Sequence, residues 1–170
     1  MKSTPLPEFL SESPDQPKQP NPYPALISDA DWQKLLALRN ARVIAIVNEY
    51  VALCQPARVM VLADTPAEMA LIRELALASG EEQKLALTGH TVHFDGYFDQ
   101  GRDKEHTRIL VNPGQTLSSH INTLDRTTGL AELHRLMQGI MAGKTMFVRF
   151  YCLGPTNSDF ALLALQLTDS

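Results

Sequence analysis

Two apolar runs separated by a polar turn close the sequence. Residues 145–153 are dense in β-branched and aromatic side chains, residues 160–167 are almost unbroken aliphatic, and residues 154–159 are turn formers. This pattern predicts two adjacent strands of a sheet. Neither run alternates apolar with polar residues, so we expect helices to cover both faces of the sheet. Since no further element follows the second run, we also expect the chain to be part of a longer protein.

The residues upstream predict helices alternating with short strands. A first helix should begin at Ser28 or Asp29, which are good N-caps, and a second amphipathic run should end at Pro56. Residues 58–63 form a short apolar strand, and Thr65-Pro66 starts a helix that ends at Gly80. The apolar residues expected to be buried by that helix are Met69, Ile72, Leu75 and Leu77.

The second half of the chain continues this alternation. We expect strands near residues 84–87 and at 109–111, with an aromatic stretch between them at 90–98. A polar loop at 118–122 then precedes a helix that ends at Gly143. One apolar stripe on that helix comprises Leu130, Leu133, Met137, Ile140 and Met141. The predicted class is α/β, with some α+β character: a mixed β-sheet flanked by helices.

The N-terminal residues have a different composition. Seven of the eleven prolines fall within the first 24 residues, and proline disfavours both helices and central strands. We therefore expect residues 1–27 to be an extended or disordered tail and residues 28–170 to be a single domain.

Charge and composition narrow the class of function. The 170 residues are 44% hydrophobic with a net charge of −4, which favours a folded domain and argues against nucleic acid as a partner. No run is long enough to span a membrane, and no secretory signal is recognisable. Cys54 and Cys152 lie in apolar segments and are expected to be buried free thiols, as in a cytoplasmic protein.

Three sequence blocks resemble one enzyme family. Met141, Gly143, Lys144 and Met146 precede an apolar strand, Gly154-Pro155 form a turn, and a second strand closes on Thr168-Asp169-Ser170. With residues 50–56 and 89–111, these blocks resemble the N-terminal domain of GTP-dependent phosphoenolpyruvate carboxykinase, in its archaeal and bacterial branch. The resemblance implies that family's N-terminal fold and a substrate-binding part of an enzyme that converts oxaloacetate and GTP to phosphoenolpyruvate, carbon dioxide and GDP. A non-enzymatic domain of the same ancestry, binding a small anion or a protein, is the alternative.

The resemblance also assigns one site residue. In the family, a loop that carries Asp and then Arg at the head of a strand binds the substrate anion, and Arg108 within residues 102–108 fits that position. An arginine suits this role because its planar fork of donors stays charged. A solvated turn whose charges cancel is the competing interpretation. Leu110 stands where better-known members have an acid that holds a mobile lid.

The remaining requirements of the reaction are expected outside this sequence. In the family, the phosphate loop and the ligands of a manganese or magnesium ion belong to a later, nucleotide-binding domain. The resemblance thus implies that these 170 residues contain no catalytic residue and no metal ligand. It also implies that the C-terminal domain of the same chain is the partner of this domain, and that the protein is a monomer. The isolated chain is expected to be inactive.

Three motifs are tempting but weak. His90 and His93 with Asp95 and Asp99 resemble a metal cluster, but hydrogen-bonded ring nitrogens near a loop are the favoured interpretation. Residues 139–145 resemble a phosphate loop but have three residues between the glycines where four are needed, and they run from helix into strand. Ser119-His120 suggests a nucleophile beside its base, but no activating geometry can be inferred and adjacent residues rarely form such a pair.

Overall fold

A computed structural model describes residues 19–96, 101, 103, 106–155 and 158–169. Four helices occur in this part of the chain, and they are α1 (Asp29–Ala37), α2 (Ala41–Cys54), α3 (Pro66–Ser79) and α4 (Arg126–Met137). The strands are β1 (Arg58–Val61), β2 (Gln83–Lys84), β3 (Thr91–Val92), β4 (Ile109–Val111), β5 (Thr123–Asp125), β6 (Thr145–Leu153) and β7 (Leu162–Asp169).

The main sheet has the order β1-β6-β7. β1 pairs in parallel with β6, with Val61 opposite Val148, and β6 pairs antiparallel with β7, with Val148 opposite Leu167. The two closing apolar runs are therefore adjacent strands of a mixed sheet, as predicted, and the α/β class is confirmed.

The central core lies where α1 and α2 pack on this sheet. Its most buried members come from both helices, from β1, from the first half of β6 and from the segments that precede α1 and β6. They are Ile27, Trp32, Leu35, Ile44, Val47, Val51, Cys54, Val59, Val61, Met141, Met146 and Val148. Ser28 caps α1 by accepting a hydrogen bond from the Asp31 backbone N–H, which confirms the predicted start of the first helix. Both cysteines are free, as predicted, but only Cys54 is buried.

Cover on both faces of the hairpin was expected, and that expectation is wrong for the end we call the hairpin tip (residues 150–153 and 160–163). Leu162 and Leu163 are 66% and 90% exposed, whereas Leu165 and Leu167 pack against the central core. The cause is length: β6 and β7 continue beyond the part of the sheet that α1 and α2 cover.

Helix α3 has the predicted bounds but not the predicted burial. Thr65 caps its start, Pro66 occupies its first turn and Gly80 ends it with φ +81°. However, none of its residues is buried, and Met69 is 64% exposed. Of the four residues expected to be buried, Ile72 and Leu77 are half-buried, and Met69 and Leu75 are exposed.

Helix α4 ends earlier than predicted, at Met137, six residues before Gly143. Gly139 has φ +67°, and its N–H donates to Leu53 O at 2.8 Å, while Met141 N donates to Cys54 O at 3.0 Å. Residues 139–141 thus bind the C-terminal end of α2 and cannot continue the helix. The segment still runs from helix into strand, as the argument against a phosphate loop required.

The chain already contacts the domain before Ser28. Ile27 is 1% exposed and forms a parallel bridge with Val59, and Trp32 Nε1 donates to Gln19 O at 2.9 Å. Packing therefore includes residues on the tail side of the predicted boundary. Residues 1–18 lie outside the described residues, so the division of the chain at residue 27 stays a prediction.

Candidate substrate-binding site

Arg108 lies at the entrance to a small strand-helix unit. β4 pairs in parallel with β5, and Ile109 N donates to Asn122 O at 2.9 Å just after Arg108. The loop predicted at residues 118–122 is confirmed, whereas β5, which follows it, was not predicted because three residues with one apolar centre give too short a pattern to recognise. The strand predicted at 109–111 is confirmed.

Helix α4 follows β5 directly and closes the unit. Asp125 is its N-cap and accepts hydrogen bonds from Thr128 N at 3.0 Å and Thr128 Oγ1 at 3.1 Å. The backbone hydrogen bond from Thr128 is the main reason that the pKa of Asp125 is lowered. Gly129 lets the helix approach the strands closely, since a Cβ there would lie 2.3 Å from Leu110 Cδ2. Leu110 therefore packs against α4.

A side-chain-stabilised turn leads into Arg108. The Asp103 carboxylate accepts from His106 N at 3.0 Å and lies beside His106 Nδ1, and Thr107 N donates to Asp103 O at 3.0 Å. This arrangement fixes the direction in which the chain enters β4. Arg102, Lys104 and Glu105, from the same predicted site, lie outside the described residues.

The Arg108 side chain lines an open cavity of about 300 Å³ between the turn and α4. Four leucines form its apolar part: Leu110, Leu124, Leu133 and Leu136. His106 and Glu132 supply its other polar groups. Arg108 is exposed and has no ion pair with any described residue. Its guanidinium is thus available to bind an anion from solvent. The carboxylate of Glu132 lines the same cavity.

A larger cavity than the one beside Arg108, about 630 Å³, lies elsewhere, and no sequence motif predicted it. It is lined by α1, by the start of α3 and by the carboxyl end of β1, with Lys34, Glu68 and Arg149 as charged lining residues. Lys34 Nζ already donates to Val61 O at 2.7 Å, Asp31 Oδ1 at 2.9 Å and Glu68 Oε1 at 2.7 Å. Because these three acceptors use all the donors of an ammonium group, Lys34 has none left for a ligand.

Protonation in that cavity follows the hydrogen bonds. Burial by itself would lower the pKa of Lys34, but the hydrogen bonds to Glu68 and Asp31 and the charges of both carboxylates raise it. The hydrogen bond from Lys34, with that from Thr65, lowers the pKa of Glu68. The spacing Thr65-x-x-Glu68 is the capping-box signal that could have revealed this carboxylate from sequence. Arg149 Nε is buried without a partner among the described groups.

The weaker motifs have ordinary environments. His93 Nδ1 lies 2.6 Å from Glu81 O, which raises the pKa of His93, and His90 Nδ1 lies 3.2 Å from Thr88 O. These contacts confirm the hydrogen-bonded ring nitrogens. Among residues the structure describes, which exclude Asp99, no three His, Cys, Asp or Glu side chains converge on a metal site. His120 is exposed beside a turn.

No described helix is long and apolar enough to cross a membrane.

Comparison with known proteins identifies the family. Residues 45–170 match the family described as phosphoenolpyruvate carboxykinase N-terminal domain. The chain is 45% identical over 139 residues to "Phosphoenolpyruvate carboxykinase [GTP]" of Thermococcus sibiricus, an alignment covering 82% of this chain and 22% of the relative. Proteins of the same name match at 42% over 144 residues in Pyrococcus abyssi (85% and 23% coverage) and at 43% over 138 residues in Saccharolobus solfataricus (81% and 22%).

The matched relatives are much longer than this chain. The chain spans a little over a fifth of the length of these relatives, and the matched part is the region that the family model calls the N-terminal domain. Since that model covers well over half of the 170 residues, the chain belongs to the phosphoenolpyruvate carboxykinase N-terminal domain family.

Proposed function

We propose that this chain is the substrate-binding N-terminal part of a GTP-dependent phosphoenolpyruvate carboxykinase, and that Arg108 binds the anionic substrate. The complete enzyme converts oxaloacetate and GTP to phosphoenolpyruvate, carbon dioxide and GDP. The names and identities of the relatives support the reaction. The observation that carries the site is an exposed arginine in an open cavity, without an ion pair among the described residues.

We assign Arg108 the role of binding the negatively charged groups of the substrate. Oxaloacetate and phosphoenolpyruvate carry carboxylate or phosphate groups, and a guanidinium can donate two parallel hydrogen bonds to such a group. The turn stabilised by Asp103 places Arg108 at the head of β4, so little reorganisation is needed on binding. The four leucines of the cavity are apolar and can contact the carbon atoms of a small substrate, so the positive charge on this part of the cavity wall comes from Arg108.

The chemistry itself requires the part of the enzyme that follows this domain. GTP and a manganese or magnesium ion are to be held there, and the metal would neutralise the phosphate charge during transfer. We assign no catalytic residue, metal ligand or nucleotide contact to these 170 residues. The isolated chain is accordingly expected to show no turnover with oxaloacetate, GTP and Mn²⁺ above a buffer control, and measurable turnover would contradict this division of roles.

Direct binding by the isolated chain tests the site. We expect phosphoenolpyruvate or oxalate to shift backbone amide resonances of residues 106–111 in an NMR titration. Arg108→Ala should weaken this binding by about 10- to 150-fold, because charge-assisted hydrogen bonds contribute about 1.5–3 kcal/mol. Arg126→Ala is the matched control, since Arg126 is an exposed arginine of the same strand-helix unit, and it should bind normally.

Three outcomes would favour a neighbouring assignment instead. If Arg102→Ala abolishes binding while Arg108→Ala does not, the anion site belongs to the other arginine of residues 102–108 and our assignment is wrong. A destabilised Arg108→Ala protein with unchanged affinity would make Arg108 a structural residue. If the chain binds the anion but the complete polypeptide has no carboxykinase activity, the non-enzymatic alternative is supported instead.

A further inference from the structure

His106 lines the same cavity as Arg108 and has no role in the function proposed above. It lies on the turn that leads into β4, two residues before Arg108, and its side chain is exposed. Among the described residues of the cavity wall, Arg108 and His106 are the two whose side chains carry N–H donors, since the others are leucines, Gly129 and Glu132. A second donor is therefore present where we place the anion.

Asp103 holds one edge of the His106 ring. Its Oδ2 lies 2.5 Å from Nδ1 of the ring, and its Oδ1 accepts a hydrogen bond from the His106 backbone N–H at 3.0 Å. An ionised carboxylate can only accept hydrogen bonds, so this geometry assigns a proton to Nδ1. The other ring nitrogen, Nε2, has no hydrogen-bond partner among the residues that the structure describes.

The turn itself does not require a histidine. It is closed by the backbone of His106, which donates to Asp103 Oδ1, and by Thr107 N, which donates to Asp103 O at 3.0 Å. A residue of almost any type at position 106 would supply the first of these hydrogen bonds. The contact between Asp103 Oδ2 and the ring is additional, and its effect is to fix the direction of the imidazole.

The substrates of the proposed reaction have more negative charge than one arginine can bind. Oxaloacetate and phosphoenolpyruvate each carry two anionic groups, and a guanidinium forms its two parallel hydrogen bonds with one group at a time. We propose that protonated His106 donates from Nε2 to the dianion that Arg108 binds, and that Asp103 is the positioning residue that orients the ring. This inference rests on the proposed function and adds a second substrate-binding residue to it.

The proposal makes anion binding depend on pH. A protonated ring attracts a dianion and can donate to it from Nε2, whereas the Nε2 lone pair of the neutral ring cannot. The other charged groups near the ring are Asp103 on its own turn, Arg108 before β4 and Glu132 on α4. All three remain when His106 is replaced, so a comparison of variants at position 106 isolates the contribution of the ring.

Oxalate binding by the complete 170-residue chain tests the proposal, because oxalate stays a dianion at each pH used. From about pH 8 to about pH 5.5, where histidine side chains gain a proton, the affinity of the parent protein should rise about tenfold. His106→Asn places an amide N–H where Nδ1 was and can keep the bond to Asp103, but it has no counterpart of Nε2. His106→Gln reaches the position of Nε2 without a charge. Both variants should bind with nearly constant affinity over this range.

His120→Asn is the matched control. His120 is an exposed histidine that does not line the cavity, so this variant should show the same rise in affinity as the parent protein. Thermal unfolding of all three variants should match the parent, since both positions are exposed. Nitrogen NMR of the His106 ring provides a second measurement, and the neutral ring should carry its proton on Nδ1.

The outcomes distinguish this inference from the function on which it rests. If Arg108→Ala abolishes oxalate binding but the parent and both His106 variants have the same pH profile, the role of His106 is wrong and the Arg108 site stands. A neutral ring with its proton on Nε2 would also overturn the inference, because Asp103 would then not orient it. If the parent does not bind oxalate, or binds it equally well after Arg108→Ala, the Arg108 site is wrong and the role of His106 is overturned with it.

Discussion

The two ends of the β6-β7 hairpin have the same kind of sequence and different environments. Leu165 and Leu167 pack against the central core, whereas Leu162 and Leu163, a few residues earlier in the same strand, are mostly exposed. The difference comes from α1 and α2, which cover only one end of the sheet. A run of apolar side chains therefore predicts a strand, but it does not predict whether another element of this chain packs against that strand.

Helices α2 and α3 show the same difference between apolar sequence and burial. Both helices have 14 residues and clear caps. α2 buries Ile44, Val47, Val51 and Cys54, and α3 buries none of its residues. Clear caps therefore determine where a helix begins and ends, but not whether its apolar face is buried.

The largest expected effect is a matched pair of leucine truncations. Leu35→Ala in the central core, at 0% exposure, should lower the free energy of unfolding by about 2–5 kcal/mol. Leu163→Ala in the hairpin tip should change it by less than about 0.5 kcal/mol, measured at a concentration where the chain is monomeric. Urea unfolding followed by circular dichroism gives both values. Comparable losses would mean that the tip is covered in solution.

The second test compares an ion pair with a buried carboxylate, Lys34–Asp31, and a more exposed one, Lys144–Asp169. Lys34→Met removes a partner of Asp31, which is only 6% exposed, and should cost about 1.5–3 kcal/mol because the carboxylate loses a charged donor. Lys144→Met removes the more exposed pair with Asp169 and should cost about 0–1 kcal/mol. The same urea experiment measures both. An equal cost would show that Asp31 is solvated.

The third test concerns the unit that carries Arg108. Gly129→Ala should destabilise the protein by about 1–2 kcal/mol, because the gain in helix propensity is smaller than the strain of moving Leu110 and Leu124. Adding Leu110→Ala makes space, so the double variant should lose less than the sum of the two single changes. Strict additivity in a double-mutant cycle would mean that Gly129 and Leu110 do not compete for space.

Local sequence signals predicted the elements well. Ser28, Thr65 and Gly80 mark helix ends through their own chemistry, and all three occupy the predicted cap positions. The β6-β7 pair was predicted because its turn and both strands are contiguous in sequence. Each of these features depends on residues that are near one another in the chain.

Features that depend on distant contacts were not predictable in this way. Residues 139–141 leave the helical path because their N–H groups bind α2, more than 80 residues earlier. The Lys34–Glu68 pair joins α1 to α3, and the close packing at Gly129 depends on Leu110. At the candidate site, sequence placed Arg108 before a strand, but the cavity beside it required the positions of β5 and α4.

The smallest effect is a pH dependence at Glu68, whose carboxylate links the packed α1 to the exposed α3. Glu68 Oε2 accepts from Thr65 Oγ1 at 2.7 Å and from Ala63 N at 3.3 Å, and Glu68 Oε1 binds Lys34. Glu68→Gln keeps the shape but removes the charge, and should cost about 1 kcal/mol at neutral pH. Glu132→Gln, an exposed carboxylate of the Arg108 cavity, is the control and should cost nothing measurable.

The sign of the pH effect follows from the hydrogen bonds. Because they lower the pKa of Glu68 in the folded protein, the charged form contributes stability above the unfolded-state pKa of about 4.3. That contribution is lost as the pH falls from there through the lower, folded-state value. The stability difference between the parent protein and Glu68→Gln should thus be full at neutral pH and shrink below about pH 4. Urea unfolding across this range measures it, and a difference that does not change with pH would mean that shape alone, without charge, holds the start of α3.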